Sequence, residues 1–379
     1  MSDATAHRSS SHATPAYLAS GLSQGWRRAA RLFALLAALL IVVEGASFVV
    51  LRILVLRDRA RPSAEPARPA YRNEPWADTY WREHRQFLAQ SYENTPYGLW
   101  RFRPFAGETI NVDTKGVRRT SYVKCDGETP IIYVFGGSTV WGQGSPDWGT
   151  IPSLLAKRFA DDGHAVCIIN QGMDAWRSSE SVMQLIGELR RPGARRPSAV
   201  VFIDGCNDVF TPFVYTGRVE LPYNFKKDWL DALAAIHEGS FYYLRATNTW
   251  TLVQRLVKRA AGSKLSFPEP TNPELLGRQI ADNYMNNVQI VDGLSRSYGF
   301  DYEFFWLPPF VDDLEPIFHL AVEKTAPLIH AIVNDHVHDL TGAYDTASTL
   351  DACHLLPSGT SLVAGKIYEK IRQDIKPAR

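Results

Sequence analysis

Four apolar runs rich in β-branched and aromatic residues constrain this chain most: IIYVF (131–135), AVCII (165–169), AVVFI (199–203) and YEFFWL (302–307). They are near-continuous rather than alternating, which is the pattern of strands covered on both faces. Stretches of helical periodicity lie around them, at about 149–161, 177–190, 274–297, 317–337 and 358–373. Strand alternating with helix at this spacing predicts a three-layer α/β/α sandwich with a central parallel sheet. Sheets of this kind collect ligands beyond the carboxyl ends of their strands, so the residues that follow each apolar run are where chemistry is to be sought.

After the first run comes GGSTVWG, with Ser138; after the second, NQGMDAWRSS, with Gly172; after the third, DGCNDVF, with Asn207 and Asp208. Near the C-terminus, DACHLLPSG places Asp351 and His354 just before the last helix. A serine, a glycine amide, an asparagine amide and an Asp/His pair are the parts that acyl transfer requires: a nucleophile, a base with its orienting acid, and oxyanion donors. Each residue also has a bland use. Ser138 can cap a helix, Gly172 and Asn207 can shape turns, and Asp351 with His354 can cap the last helix. Asp208 reads as a buttress of its loop.

Taken together and in this order, GGST, NQG, GCND and DACH resemble the four blocks of the SGNH (GDSL-like) hydrolase superfamily, over about residues 95–375. The segment YGLWRFRPFAGETINVDTKGVRR (97–119) is similar to the approach to the serine block in membrane-anchored members. The resemblance implies a flavodoxin-like sandwich and a serine esterase acting on small acyl esters, acetyl above all, with an O-acylated glycan as one substrate class. It implies a Ser138–His354–Asp351 triad, an oxyanion hole of Ser138 N–H, Gly172 N–H and the Asn207 side chain, and no metal or cofactor. An O-acyltransferase using the same triad on a sugar hydroxyl is the first alternative, and a non-catalytic glycan-binding or scaffold protein the second. Two departures from the family pattern stand out. The second glycine of the glycine block is replaced at Ala175 or Trp176, which predicts a changed loop shape, and Gly137 replaces the Asp of GDS. The absence of G-x-S-x-G around Ser138 argues against an α/β-hydrolase elbow.

One segment is not globular. LFALLAALLIVVEGASFVVL (32–51) carries a single charge, Glu44, over twenty residues, long enough for a membrane span. Its apolar side chains offset the cost of one acidic group, about 2.5–3.5 kcal/mol. A cleaved signal peptide ending near GAS (45–47) is the rival reading, but the apolar run continues past that point. The expected organisation is a disordered tail (1–29), a transmembrane anchor (30–56), a Pro/Arg-rich linker (57–80) and a catalytic domain (81–379). Arginines flank both ends of the span, so charge hardly orients it; export of the large domain is the default for this arrangement. A net charge of +1 excludes a general nucleic-acid footprint, and the cluster RRPGARRP (190–197) reads as a solvated helix end.

The four cysteines form no CxxC pair, so a zinc or thioredoxin-like site is unsupported. A Cys125–Cys167 disulfide would fit neighbouring strands in an exported domain, but buried free thiols are the favoured reading. DHVHD (335–339) has metal-ligand residue types, yet its histidines are two apart and read as a solvated helix end. The aromatic-rich stretch 241–259 reads as a packed amphipathic helix.

Overall fold

The computed structural model describes residues 16–60, 69–90, 92–220, 247–260, 270–310 and 316–372. Two compact units divide the chain: Met1–Pro62 with Ala232–Lys264, and Ser63–Asp231 with Leu265–Arg379. The expected tail (in part), eight linker residues and the stretch 241–246 lie outside the described residues.

The first unit contains helix α1, Ala16–Ala60, whose portion Gly25–Leu54 is long and apolar enough to cross a membrane. A short helix, Asn248–Ala260, packs on it within the same unit. Glu44 is one contact: its carboxylate accepts from the Asn248 side-chain amide at 2.7 Å, the Thr249 amide at 3.0 Å and the Thr249 hydroxyl at 2.8 Å. The lone charge of the apolar run thus satisfies amides at a helix N-terminus, where a carboxylate is favoured. The helix Asn248–Ala260, which the sequence assigns to the catalytic domain, groups with α1.

The second unit is the α/β body. It opens with helix α2 (Ala77–Leu88) and two short ribbons, β1/β2 (Glu93–Asn94 with Trp100–Arg101) and β3/β4 (Phe105–Ala106 with Asn111–Val112). Tyr71, Ala77 and Tyr80 are buried in this body, although the sequence places them in the linker. The main sheet comprises β5 (Ile131–Gly136), β6 (Cys167–Gly172), β7 (Ala199–Gly205), β8 (Asp301–Leu307) and β9 (Val337–Asp339), ordered β6-β5-β7-β8-β9. Every pairing in it is parallel. This is the expected three-layer α/β/α sandwich, with the chain reversing its direction of growth between β6 and β7.

Alternate side chains of the same strands feed two cores, as a pleated sheet dictates. Tyr133, Phe135, Phe202, Phe304 and Trp306 face one layer, packed by the helices Ser178–Arg190, Pro273–Tyr298 and Pro316–His330. Phe135, Phe202 and Phe304 stack in a row across three strands, with centroids 5.3 and 4.3 Å apart. Ile132, Val134, Val201, Ile203 and Phe305 face the other layer, formed by Ile151–Asp161 and Pro357–Ile371. A fully buried residue of this kind contributes about 1.5–3 kcal/mol, so these runs are strands because only a doubly covered sheet hides both of their faces.

The helix expected over 317–337 ends at His330, and residues 337–339 form the edge strand β9. Asn334 turns the chain there, its side-chain oxygen accepting from the amides of His336 and Val337 at 2.8 and 3.0 Å. The last three residues of DHVHD are therefore an edge strand whose His338 Nε2 lies 2.7 Å from the Glu303 carboxylate, not a solvated helix end. The cysteines are paired, Cys125 with Cys167 and Cys206 with Cys353, which corrects the expectation of free thiols.

Candidate active site

Gly136 ends β5 with a φ of 155°, and Gly137 is the extended residue before the one-turn helix α3, Ser138–Trp141. A methyl group on Gly137 would meet Asn207 Nδ2 first and Trp176 O at 3.0 Å. The glycine that replaces the aspartate of the family pattern is thus required by close approach of the neighbouring loops. Ser138 is buried at the first position of α3, and its hydroxyl lies 2.7 Å from His354 Nε2.

His354 Nδ1 is 2.7 and 2.9 Å from the two carboxylate oxygens of Asp351. A carboxylate only accepts, so Nδ1 carries the proton and Nε2 is left to accept the Ser138 hydroxyl. The DACH turn builds itself: Asp351 Oδ1 also accepts from the amides of Cys353 and His354, both at 3.0 Å. Burial raises the Asp351 pKa, but the hydrogen bond and charge of His354 and these two amides outweigh it, holding the carboxyl at about 2. Asp351 is therefore ionised wherever His354 is to be oriented.

Asn207 lies just beyond β7 on a short helix, Cys206–Phe210, and its Nδ2 donates to Trp176 O at 2.8 Å. Asp208 holds this loop as the sequence predicts, accepting from the Ser178 amide and hydroxyl and from the Gly205 amide. Burial pushes the Asp208 carboxyl up, and pushes neighbouring Asp204 up further with the charge of Asp208 adding to it.

The Gly172 amide donates to Asn170 Oδ1 at 2.9 Å. Asn170 Nδ2 in turn donates to Val140 O at 3.2 Å, tying the end of β6 to the serine helix. A methyl group on Gly172 would lie 2.8 Å from Val140 C and 2.9 Å from Trp141 Cα, so Gly172 is a spacer against α3. Three residues on, Ala175 has a left-handed backbone with φ 59°, rare for a residue with a side chain. The departure at Ala175 thus keeps the glycine-like conformation, in the loop whose Trp176 carbonyl binds Asn207.

Arg118 was not singled out by the sequence. It is fully buried and donates to Trp141 O, Gly142 O and Ser145 O at 3.0, 2.8 and 2.7 Å. Its Nε meets Asp147 at 3.0 Å. The guanidinium therefore holds the carbonyls at the end of the serine helix. An aromatic layer from α2 and the ribbons, including Phe87, Phe102 and Trp100, packs on Trp141 and Trp176 above it.

A cleft of about 580 Å³ runs beside β6, lined by Gly172, Met173, Trp176, Tyr97, Lys115 and Arg190 among others; Ser138, Asn207 and His354 do not line it. No group of three or more metal-ligating side chains occurs among the described residues.

No family profile and no curated protein matches the chain. Solved structures similar to it include a lipolytic protein of the G-D-S-L family from Desulfitobacterium hafniense (11% identity, 64% of this chain and 99% of that one, TM-score 0.36). The acetyl xylan esterase AlAXEase (13%, 64% and 99%, 0.37) and TesA (13%, 65% and 99%, 0.36) are also similar. At these scores the likeness decides nothing about the site, whose reading stands on its own geometry.

Proposed function

We propose that the chain is a membrane-anchored serine esterase of the SGNH type. The hydrogen-bonded line Ser138–His354–Asp351 at the carboxyl ends of parallel strands, with the Asn207 amide alongside, carries this reading. Ser138 attacks an ester carbonyl while His354 Nε2 takes its proton, and the same imidazole returns the proton to the leaving alcohol. Asp351 fixes the tautomer and stabilises the imidazolium. The amides of Ser138 and Ala175 and the side chain of Asn207 receive the oxyanion; Ala175 replaces Gly172 in this role because the Gly172 amide is already committed to Asn170.

The substrate class we propose is a small acyl ester, acetyl foremost, carried on a glycan. The cleft beside β6 supports it: Tyr97 is exposed there, and Lys115 and Arg190 offer donors. The apolar helix supports an anchor, and two disulfides in one body favour an oxidising compartment outside the cytoplasm. An alkyl fluorophosphonate should label the full chain in detergent, and Ser138→Ala should abolish labelling. Equal labelling of both proteins removes Ser138 as the nucleophile.

A further inference from the structure

The two disulfides sit at opposite ends of the sheet. Cys167 is the first residue of β6, so the Cys125–Cys167 bond lies at the amino end, away from the site. Cys206 follows β7 directly, so the Cys206–Cys353 bond lies at the carboxyl end, where Ser138, Asn207 and His354 gather. Cys206 immediately precedes Asn207, and Cys353 immediately precedes His354. The Cys353 carbonyl also accepts from the Thr139 hydroxyl at 2.6 Å, and Thr139 is the neighbour of Ser138. One buried covalent link thus joins the residues adjoining the oxyanion donor and the base, and a hydrogen bond extends it to the residue adjoining the nucleophile.

Other ties of the Asp351–His354 turn are backbone hydrogen bonds close to it. The Phe310 amide donates to Ala352 O at 2.7 Å, and Leu350 N donates to His354 O at 2.8 Å within the turn itself. Asp351 is 40% exposed. This turn belongs to the segment between β9 and the last helix, 147 residues along the chain from Cys206. The disulfide therefore joins two loops that lie far apart in the sequence.

We propose that the Cys206–Cys353 disulfide is a positioning element of the active site: it fixes the oxyanion donor Asn207 relative to the His354–Asp351 pair. The proposal rests on the serine-esterase reading above. Reduction by a dithiol, which becomes a disulfide as Cys206 and Cys353 become two thiols, leaves the α/β body folded and lowers turnover. The Cys125–Cys167 bond has no such role.

The test uses the full chain in detergent, a chromogenic acetyl ester and a fluorophosphonate. Cys206→Ala/Cys353→Ala should lower kcat about tenfold or more with KM within about twofold, because misplacing a reacting group by about 1 Å can cost 100-fold. Fluorophosphonate labelling should slow in parallel. Dithiothreitol should reproduce the loss in wild type, oxidised glutathione should restore activity, and neither reagent should alter the double variant. Cys125→Ala/Cys167→Ala should remain as sensitive to dithiothreitol as wild type. A folded Cys206→Ala/Cys353→Ala protein with wild-type kcat overturns the proposal, as does a dithiothreitol effect that persists in it. If that variant fails to fold, reduction of wild type, with circular dichroism showing the body intact, decides: unchanged turnover in the reduced protein overturns the proposal. A wild-type chain that is neither labelled nor active overturns the esterase reading itself, a result distinct from an active enzyme indifferent to its disulfide.

Discussion

Gly172→Ala separates a spacer from an oxyanion donor. Alanine keeps the backbone N–H, so a glycine needed only for that amide tolerates the change. The structure sets a different requirement. The added methyl group would stand 2.8 Å from Val140 C and 2.9 Å from Trp141 Cα, and nearer still to the Trp141 amide nitrogen. All of these are backbone atoms of the helix that begins at Ser138, so no side chain can rotate away. Reaching ordinary contact at 3.4 Å moves β6 and the serine helix apart by about 1 Å. Overpacking of this kind costs about 1–3 kcal/mol of stability, and a displacement of that size at the nucleophile costs about 100-fold in kcat. Ala175→Gly is the companion: its left-handed backbone makes glycine easier there, so stability should stay level or rise by about 0.5–1 kcal/mol, with activity retained. Thermal melts and turnover of a chromogenic acetyl ester measure both. A Gly172→Ala protein with wild-type melting and turnover refutes the spacer argument.

Asp351→Asn should lower kcat by up to about 10⁴-fold, as loss of tautomer control does in such triads. Its effect on stability depends on pH. The folded carboxyl sits at about 2 against an ordinary 3.8, so its stabilisation is present above about pH 4 and is lost as pH falls toward 2. The side chain is 40% exposed, and screening leaves about 1 kcal/mol of it. Urea unfolding at pH 6 and pH 2.5 should show the difference between wild type and variant shrinking; a constant difference contradicts the assignment. Arg118→Met should cost about 3–5 kcal/mol, since it strands buried Asp147 and frees three carbonyls beyond the serine helix, and Arg118→Lys should rescue little. Denaturation midpoints check both variants, and full rescue by lysine contradicts a need for the forked guanidinium.

The architecture was legible because burying both faces of a strand leaves a strong trace: runs such as AVVFI and YEFFWL have no other economical place in a fold. β9 left no such trace. Its three residues, Val337–Asp339, lie at the sheet edge, and the turn that releases them depends on one asparagine side chain, Asn334. Asp351 and His354 were legible because their juxtaposition is local, with a carboxylate capturing the next turn's amides three residues away. Arg118 was not, since the first arginine of an Arg-Arg pair after Gly-Val reads as surface until the three carbonyls it serves are brought to it from residues 141–145.

The same distinction bears on Gly172. A glycine in a motif states that a side chain is forbidden there and leaves open whether the reason is a positive φ, a nearby backbone or an amide offered to a ligand. At Gly172 the nearby backbone is the reason, and Asn170 takes the amide. At position 175 the chain adopts the glycine-like φ with an alanine. A left-handed turn is thus made there with a side chain in place, and alanine carries the same backbone N–H as glycine.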